Sequence, residues 1–241
     1  MITTRDLDAY YAVIGSAVST KSLALQSELN NFHSLLWAKL DIYKEASRRI
    51  AVFNAPDFSA FDYFGLGENA LSNVIAGLLD TEGAHGQGDL FLREFLAMLD
   101  LDPPRPERPH KVLTQVPMMG FLDILIDFGN FGIGIENKPW AGEQLKQVER
   151  YCTALDQRYS GEFLFVYLSG NDSPPASISE ELRKRLERNK KLTTRSYSFL
   201  EHWLRRCARM CEADKVRWFL RDLAQYLAGE FTEQGGYDEV E

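Results

Sequence analysis

The sequence is poor in cysteine and contains no long apolar run. Only three cysteines occur in 241 residues, and an odd, sparse set of thiols suits a reducing compartment better than a secreted disulfide scaffold. Charged residues interrupt every hydrophobic stretch, and the N-terminus lacks a basic region followed by an apolar run. We therefore expect neither a membrane-spanning helix nor a signal peptide, and we predict a cytoplasmic protein without membrane association.

Familiar cofactor patterns are also missing. No glycine-rich phosphate loop of the P-loop type occurs, so the sequence does not indicate ATP use. His202, Cys207 and Cys211 fall within one predicted helix, and this spacing does not resemble the two-pair arrangement of zinc sites. His85 lies between glycines, where it either touches a phosphate or has only a loop role. None of these residues predicts a site by itself.

Positive charge is scarce over most of the chain. The formal net charge is −8, which argues against a protein that coats nucleic acid through bulk electrostatic attraction. The segment Ile178–Arg221, called the basic segment below, nevertheless holds 13 Lys and Arg against 6 Asp and Glu. It has a net charge of +7, against −15 for the rest of the chain. Such a segment fits either a phosphate-binding face or a solvated helix surface.

The first fifty residues have the rhythm of a long helix. Apolar side chains recur at three- and four-residue spacing between Asp6 and Phe53, and only Lys39 breaks this stripe. The stripe consists of Leu29, Phe32, Leu36, Tyr43, Ala46, Ile50 and Phe53. It requires a partner, which is either the next domain or a second copy of the chain. Because Asn54–Asp57 ends the pattern, we predict a helical extension over residues 1–54 and a second domain over residues 55–241.

The second domain has the pattern of an α/β protein, since its hydrophobic content of 45% allows a full core. We predict helices at Glu68–Leu79, Asp89–Leu99, Gly142–Gln157, Ser179–Lys191, Phe199–Cys211 and Asp214–Gly229. We predict strands at Val112–Val116, Phe121–Phe128, Phe131–Lys138, Phe163–Leu168 and Thr193–Tyr197. The proline-rich Asp102–Pro109 is a connector. The expected architecture is a mixed sheet flanked by helices.

Two of these strands place acidic side chains opposite each other. Gly129-Asn130 fits a two-residue type II′ loop, so cross-strand partners have residue numbers that sum to 259. Asp123 then lies opposite Glu136, with Lys138 on the same face, while isoleucines line the other face. Opposed carboxylates repel unless a cation or a proton lies between them. Mg²⁺ prefers oxygen ligands, and a lysine beside it can stabilise developing negative charge.

The neighbouring helices carry further polar candidates. Glu68 falls on the apolar stripe of its predicted helix, where it either pairs with a site group or complements the helix dipole. After Lys138, we predict that Gln144, Gln147 and Tyr151 share one helix face. Either these amide and phenol groups hold the lysine, a water or a phosphate, or Gln147 and Tyr151 are only a pair on the helix surface. We expect Glu68 to approach the metal and Gln147 to approach Lys138.

At these residues the sequence resembles a known family. Asp123, the strand end Glu136-Asn137-Lys138 and the run from Ala141 to Tyr151 are similar to the PD-(D/E)XK nuclease superfamily, especially a bacterial branch with a Glu-Asn-Lys strand end. Gln147 and Tyr151 look like the Gln-x-x-x-Tyr element of RecB-like nucleases. The resemblance covers about Glu68 to Gly170. Leu122 replaces the motif's proline, which is a common variation.

The resemblance implies a restriction-endonuclease-like core, with Mg²⁺, replaceable by Mn²⁺, bound by Asp123, Glu136 and the main chain of Asn137. It implies that Glu68 completes the metal shell and that Lys138 is catalytic. The expected function is a nuclease that hydrolyses phosphodiester bonds in nucleic acid, with DNA as the expected substrate and defence against foreign DNA as the context. The alternative is a catalytically silent module of the same fold that dimerises or docks through its N-terminal helices.

Overall fold

The computed structural model describes residues 4–55, 58–101, 110–140, 142, 144–170 and 173–232. The chain divides into two units, Met1–Phe58 and Ser59–Glu241. The first unit is a helix of 51 residues, α1 (Thr4–Asn54), and this confirms the predicted helix. It ends at Asn54 as the sequence predicted, while Pro56 and Asp57 lie outside the described residues.

The apolar stripe of α1 is exposed. Five of its members, Leu29, Phe32, Leu36, Tyr43 and Ile50, have between 43% and 70% of their surface accessible. No second helix or strand is described in this unit, so the stripe has no partner within it. The position of Phe53 in the stripe stays a prediction because its side chain lies outside the described residues.

The second unit alternates helices with the strands of one sheet. Its helices are α2 (Phe61–Phe64), α3 (Glu68–Leu79), α4 (Leu90–Met98), α5 (Gln147–Arg158), α6 (Glu180–Arg188), α7 (Tyr197–Met210) and α8 (Asp214–Thr232). Its strands are β1 (Lys111–Pro117), β2 (Phe121–Asp127), β3 (Gly132–Lys138), β4 (Phe163–Ser169) and β5 (Leu192–Ser196). The sequence did not predict α2, and the connector Asp102–Pro109 lies outside the described residues.

In the described part of the chain, the strands form a mixed sheet in the order β1-β2-β3-β4-β5. β2 is antiparallel to both of its neighbours, β1 and β3, and β3, β4 and β5 are parallel. Ile124 pairs with Ile135 and Asp127 with Gly132, which confirms the predicted hairpin register. Gly129 has a φ of 84°, and a positive φ at the first loop position is what a type II′ turn requires.

Helices cover both faces of the sheet. One face packs against α3, α4, α7 and α8 around residues such as Phe95, Ile135 and Trp203. The other packs against α5 and α6 around residues such as Leu155 and Phe165. Every residue of β3 and β4 is therefore buried, as expected for central strands between two helical layers. Consequently the face that carries the acidic residues lies inside the protein.

The structure corrects the predicted start of α5. The sequence indicated a helix from Gly142, but α5 begins at Gln147 because Lys146 adopts the left-handed conformation, with a φ of 54°. Gln144 therefore precedes the helix and does not share a helical face with Gln147 and Tyr151. Its backbone N–H instead donates a hydrogen bond to the side-chain oxygen of Gln147 over 3.0 Å.

The remaining expectations concern membrane association and thiols. None of the helices in the described ranges combines the length and the apolar character needed to span a bilayer. Cys152, Cys207 and Cys211 are free and buried. His202 is exposed on α7, and its Nδ1 hydrogen-bonds the carbonyl oxygen of Ser198. This contact of His202 is typical of an exposed residue on a helix surface.

Alanine substitutions at Gly132 and Gly77 should change the free energy of unfolding in opposite directions. A Cβ at Gly132 would overlap the ring of Tyr159, whereas a Cβ at Gly77, within α3, meets open space. We expect Gly132→Ala to lower the free energy of unfolding by about 1–3 kcal/mol through overpacking. Gly77→Ala should raise it by about 0.5–1 kcal/mol because alanine favours the helix. Urea unfolding of both variants measures the difference, and equal effects would contradict this packing.

Candidate active site

Asp123, Glu136 and Lys138 meet at adjacent positions on β2 and β3. All three are buried, with 4%, 1% and 8% of their surface accessible. The Lys138 ammonium lies 3.1 Å from Glu136 Oε1 and 2.7 Å from Glu68 Oε1. The lysine thus bridges the carboxylate on its own strand to the first turn of α3. The sequence predicted the grouping of Asp123, Glu136 and Lys138 from strand register alone.

Hydrogen bonds hold both carboxylate oxygens of Asp123. The backbone N–H of Asn137 donates to Oδ2 over 2.8 Å, and the side-chain amide of Gln115 on β1 donates to Oδ1 over 3.0 Å. Both donors are neutral, so they orient the carboxylate without cancelling its charge. Each oxygen of a carboxylate has two acceptor positions, and one on each oxygen is left for another group.

Glu136 has one satisfied oxygen and one orphan oxygen. The side-chain amide of Gln147 donates to Oε1 over 2.6 Å, on the same oxygen that faces Lys138. Oε2 is buried and has no hydrogen-bond partner in the described residues. A buried acceptor without a partner is unfavourable. The Glu136 side chain therefore suits a cation or a proton at Oε2.

The electrostatic environment favours protonation of both acidic side chains. Burial, followed by the charge of Asp123, raises the pKa of Glu136 to about 8, although Lys138 opposes the shift. Burial also raises the pKa of Asp123, against the Asn137 hydrogen bond and the charge of Lys138. Burial disfavours the charged form of Lys138, but its hydrogen bond to Glu68 and the charge of Glu136 raise its pKa overall. A divalent cation would relieve the same repulsion.

The α5 side chains contact the acidic group from the helix that covers it. We expected Gln147 to approach Lys138, and its side-chain amide donates to Glu136 Oε1, the same oxygen that the Lys138 ammonium contacts. The same amide lies 3.4 Å from the Tyr151 hydroxyl, which donates to the carbonyl oxygen of Phe121 over 2.9 Å. Gln147 and Tyr151 therefore tie Glu136 to the start of β2.

Asn137 anchors the strand between the two site residues. Its side-chain nitrogen donates to Ser72 Oγ on α3 over 3.0 Å, and the Tyr197 hydroxyl on α7 donates to its side-chain oxygen Oδ1. Sequence reasoning missed Ser72, Tyr197 and Gln115. The first two sit in helices with no nearby motif. For Gln115, the signal is the β1–β2 register, in which partner numbers sum to 238 and position 115 faces Asp123.

Glu68 is oriented toward Lys138 in this structure. Among the described residues, no three histidine, cysteine or acidic side chains are arranged around a common metal position. The role of Glu68 as a metal ligand therefore stays a prediction. Asp123 and Glu136 do fit a hard divalent cation, because they are opposed, buried and include an oxygen without a partner.

Two other sequence candidates have structural explanations. His85 Nε2 hydrogen-bonds the carbonyl oxygen of Asp80, and its Nδ1 accepts from the backbone N–H of Gln87, so it stabilises its own loop. Much of the basic segment is neutralised locally. Six of its cations form ion pairs within the protein: Arg183, Lys184, Lys191, Arg205, Arg206 and Arg217. This favours a solvated surface for those residues.

Comparison with known proteins agrees with this geometry. The sequence model of the PD-(D/E)XK nuclease superfamily matches residues 58–222, which include every residue of the site. No curated protein and no solved structure matches. The mixed sheet with helices on both faces is the restriction-endonuclease-like core that the resemblance implied.

The raised pKa of Glu136 predicts how stability depends on pH without metal. Unfolded Glu136 releases its proton near pH 4.5, and folded Glu136 near pH 8. Between these values the unfolded chain binds fewer protons, so stability should fall as pH rises, by at most about 1.4 kcal/mol per pH unit. Urea unfolding in EDTA at pH 5 and pH 8 should show that the free energy of unfolding falls less in Glu136→Gln than in the unchanged protein. Equal falls for both proteins would contradict the assignment.

Proposed function

Because the chain belongs to the PD-(D/E)XK nuclease superfamily, we propose that it is a nuclease that hydrolyses phosphodiester bonds, with DNA as its substrate and Mg²⁺ as its cofactor. The observation that carries this proposal is the buried pair Asp123 and Glu136, with one orphan oxygen, beside the Lys138 ammonium. A structural role alone does not account for two opposed carboxylates in a sheet interior, since their burial is unfavourable.

Asp123, Glu136 and the main-chain carbonyl of Asn137 would hold Mg²⁺ or Mn²⁺, with Glu68 as a further ligand. A bound divalent ion supplies a water of lowered pKa and polarises the phosphate. The fit rests on the donor set, since carboxylate and carbonyl oxygens are the ligands that Mg²⁺ prefers. Glu68 lies against Lys138 in this structure, so as a ligand it would share its carboxylate between the cation and the ammonium.

Lys138 would act on the charge that develops during hydrolysis. Its ammonium lies in the acidic cluster, where it can stabilise an attacking hydroxide or a phosphate oxygen. Low solvent access strengthens this interaction because little water screens the charges. Gln147 and Tyr151 would keep Glu136 in place, and their spacing supports a Gln-x-x-x-Tyr element of the RecB-like kind and membership of the Glu-Asn-Lys branch.

The remaining organisation of the protein follows from charge and exposure. We propose that residues 55–241 form the nuclease-like domain and that residues 1–54 form a helical extension. The exposed stripe of α1 favours a homodimer or a partner protein for that extension. Since the chain is acidic overall, unpaired cations of the basic segment or a second copy would help to hold DNA. Free, buried thiols support a reducing, cytoplasmic environment, and defence against foreign DNA is the proposed context.

The alternative is a silent module of the same fold that docks through α1. The exposed stripe of that helix favours it, and the intact acidic pair disfavours it. Isothermal titration with Mn²⁺ separates the two functions. Binding that is lost in Asp123→Ala supports the nuclease, whereas no binding supports the module.

We predict that the purified protein cleaves DNA with Mg²⁺ and not with chelator. Glu136→Ala and Lys138→Ala should each reduce the cleavage rate by about 100-fold or more, because the first removes a ligand of the proposed cation and the second removes the ammonium that acts on developing charge. The assay uses linear, circular and single-stranded DNA and also RNA. Circular dichroism checks that the variants remain folded.

Asp127→Asn is the matched control for these substitutions. Asp127 shares β2 with Asp123, but it pairs with Arg158 and the amide of Gly129 at the far end of the hairpin. We expect the cleavage rate of Asp127→Asn to stay within about twofold of the unchanged protein, since Asp127 pairs with Arg158 and not with a residue of the site. A partly exposed ion pair of this kind contributes little to stability. Activity that survives both Glu136→Ala and Lys138→Ala would refute the assignment of the site.

A further inference from the structure

Gln115 has an unusual backbone for a residue in a strand. Its φ is 50°, in the left-handed region, although it lies in the middle of β1. The ladder between β1 and β2 keeps one register on either side, with Thr114 opposite Ile124 and Val116 opposite Leu122. No residue is inserted, and only the pair of Gln115 with Asp123 is missing from that ladder. The strand is therefore distorted at the one position that faces Asp123.

Left-handed backbone is unfavourable for glutamine, which has a Cβ atom. Such strained residues persist where the surrounding structure holds them, and they concentrate at functional sites. Here the strained residue is on an edge strand and is exposed to solvent. Core packing therefore does not require glutamine at this position.

The Gln115 side-chain amide contacts two elements of the site. Its nitrogen lies 3.0 Å from Asp123 Oδ1 and 3.4 Å from Asn69 Oδ1. An amide nitrogen has two hydrogens, so it can donate to both acceptors. Asn69 follows Glu68 in the first turn of α3. Gln115 thus links the Asp123 carboxylate to the helix turn that carries Glu68.

This contact completes the restraint on Asp123. Asn137 N–H restrains Oδ2, and Gln115 restrains Oδ1. With both oxygens held, the carboxylate cannot rotate freely. Because neither donor is charged, the attraction of Asp123 for a cation remains. Partners of this kind, which orient a ligand without touching the metal, commonly change metal affinity 10- to 100-fold.

We infer that Gln115 is a positioning residue that orients Asp123 for a divalent cation, and that the strain of β1 at residue 115 serves this contact. The inference rests on the proposed metal-dependent function of the same site. It assigns Gln115 no direct contact with metal or substrate. It also explains why a glutamine, and not glycine, occupies a left-handed position.

The test compares Gln115→Gly with Ser160→Gly. Ser160 is also left-handed, with a φ of 51°, and is exposed, but it precedes β4, at the end of the parallel strands away from Lys138. Both substitutions relieve backbone strain, and in Ser160→Gly this should raise the melting temperature in EDTA by about 2–4 °C. In Gln115→Gly the lost hydrogen bond to Asp123 offsets that gain. Only Gln115→Gly should weaken Mn²⁺ binding, measured by isothermal titration, by about tenfold or more.

Gln115→Ala provides a second variant, because it removes the amide and keeps the strain. It should lose Mn²⁺ affinity like Gln115→Gly, and its melting temperature should be lower than that of Gln115→Gly because alanine keeps the strain. In cleavage assays at fixed Mg²⁺, both variants should lower kcat and leave KM for DNA unchanged, since the orientation of Asp123 and not DNA binding is altered.

Three outcomes would overturn the inference. Unchanged Mn²⁺ affinity in Gln115→Gly, with normal binding by the unsubstituted protein, refutes the positioning role and leaves the proposed nuclease intact. A melting temperature of Gln115→Ala equal to or above that of Gln115→Gly shows that the backbone at residue 115 is not strained, and this refutes the proposed link between the strain and the contact. Absence of Mn²⁺ binding by the unsubstituted protein refutes the proposed function and this inference together.

Discussion

Burial of two opposed carboxylates is the constraint on which the site depends. Asp123 and Glu136 lie on adjacent strands of a sheet that helices cover on both faces, so water cannot screen their repulsion. The protein compensates for part of this repulsion. Lys138 supplies one positive charge, and neutral N–H donors satisfy both oxygens of Asp123, from Asn137 and Gln115, and one oxygen of Glu136, from Gln147. Among the described residues the compensation is incomplete at Glu136 Oε2, and this is the oxygen that the proposed cation would satisfy.

The fold delivers these compensating groups from elements distant in sequence. β3 carries Glu136 and Lys138, while Asn137 between them points its side chain to α3 and α7. Any shift of β3 would therefore disturb both the acidic pair and the packing of two helices. The network explains how a strained and partly unsatisfied site can persist: hydrophobic packing on both faces stabilises the sheet that holds it.

The accuracy of the sequence predictions followed the range of the interactions involved. The register of β2 and β3 was predictable because a two-residue loop and alternating isoleucines determine it locally. The bounds of α3 were predictable from its apolar stripe. The start of α5 was wrong by five residues, because Lys146 takes a left-handed conformation that no residue pattern indicated. Gln144 was misplaced for the same reason.

The sequence by itself determined which residues of the hairpin face each other, and thus that Asp123, Glu136 and Lys138 share one side of the sheet. Side-chain alternation and loop length suffice for this, since both act over a few residues. Only the tertiary structure decided that Glu68 pairs with Lys138, that Gln147 donates to Glu136 and that Gln115 reaches Asp123. Those contacts join separate elements, and their geometry depends on how helices and an edge strand pack against the sheet.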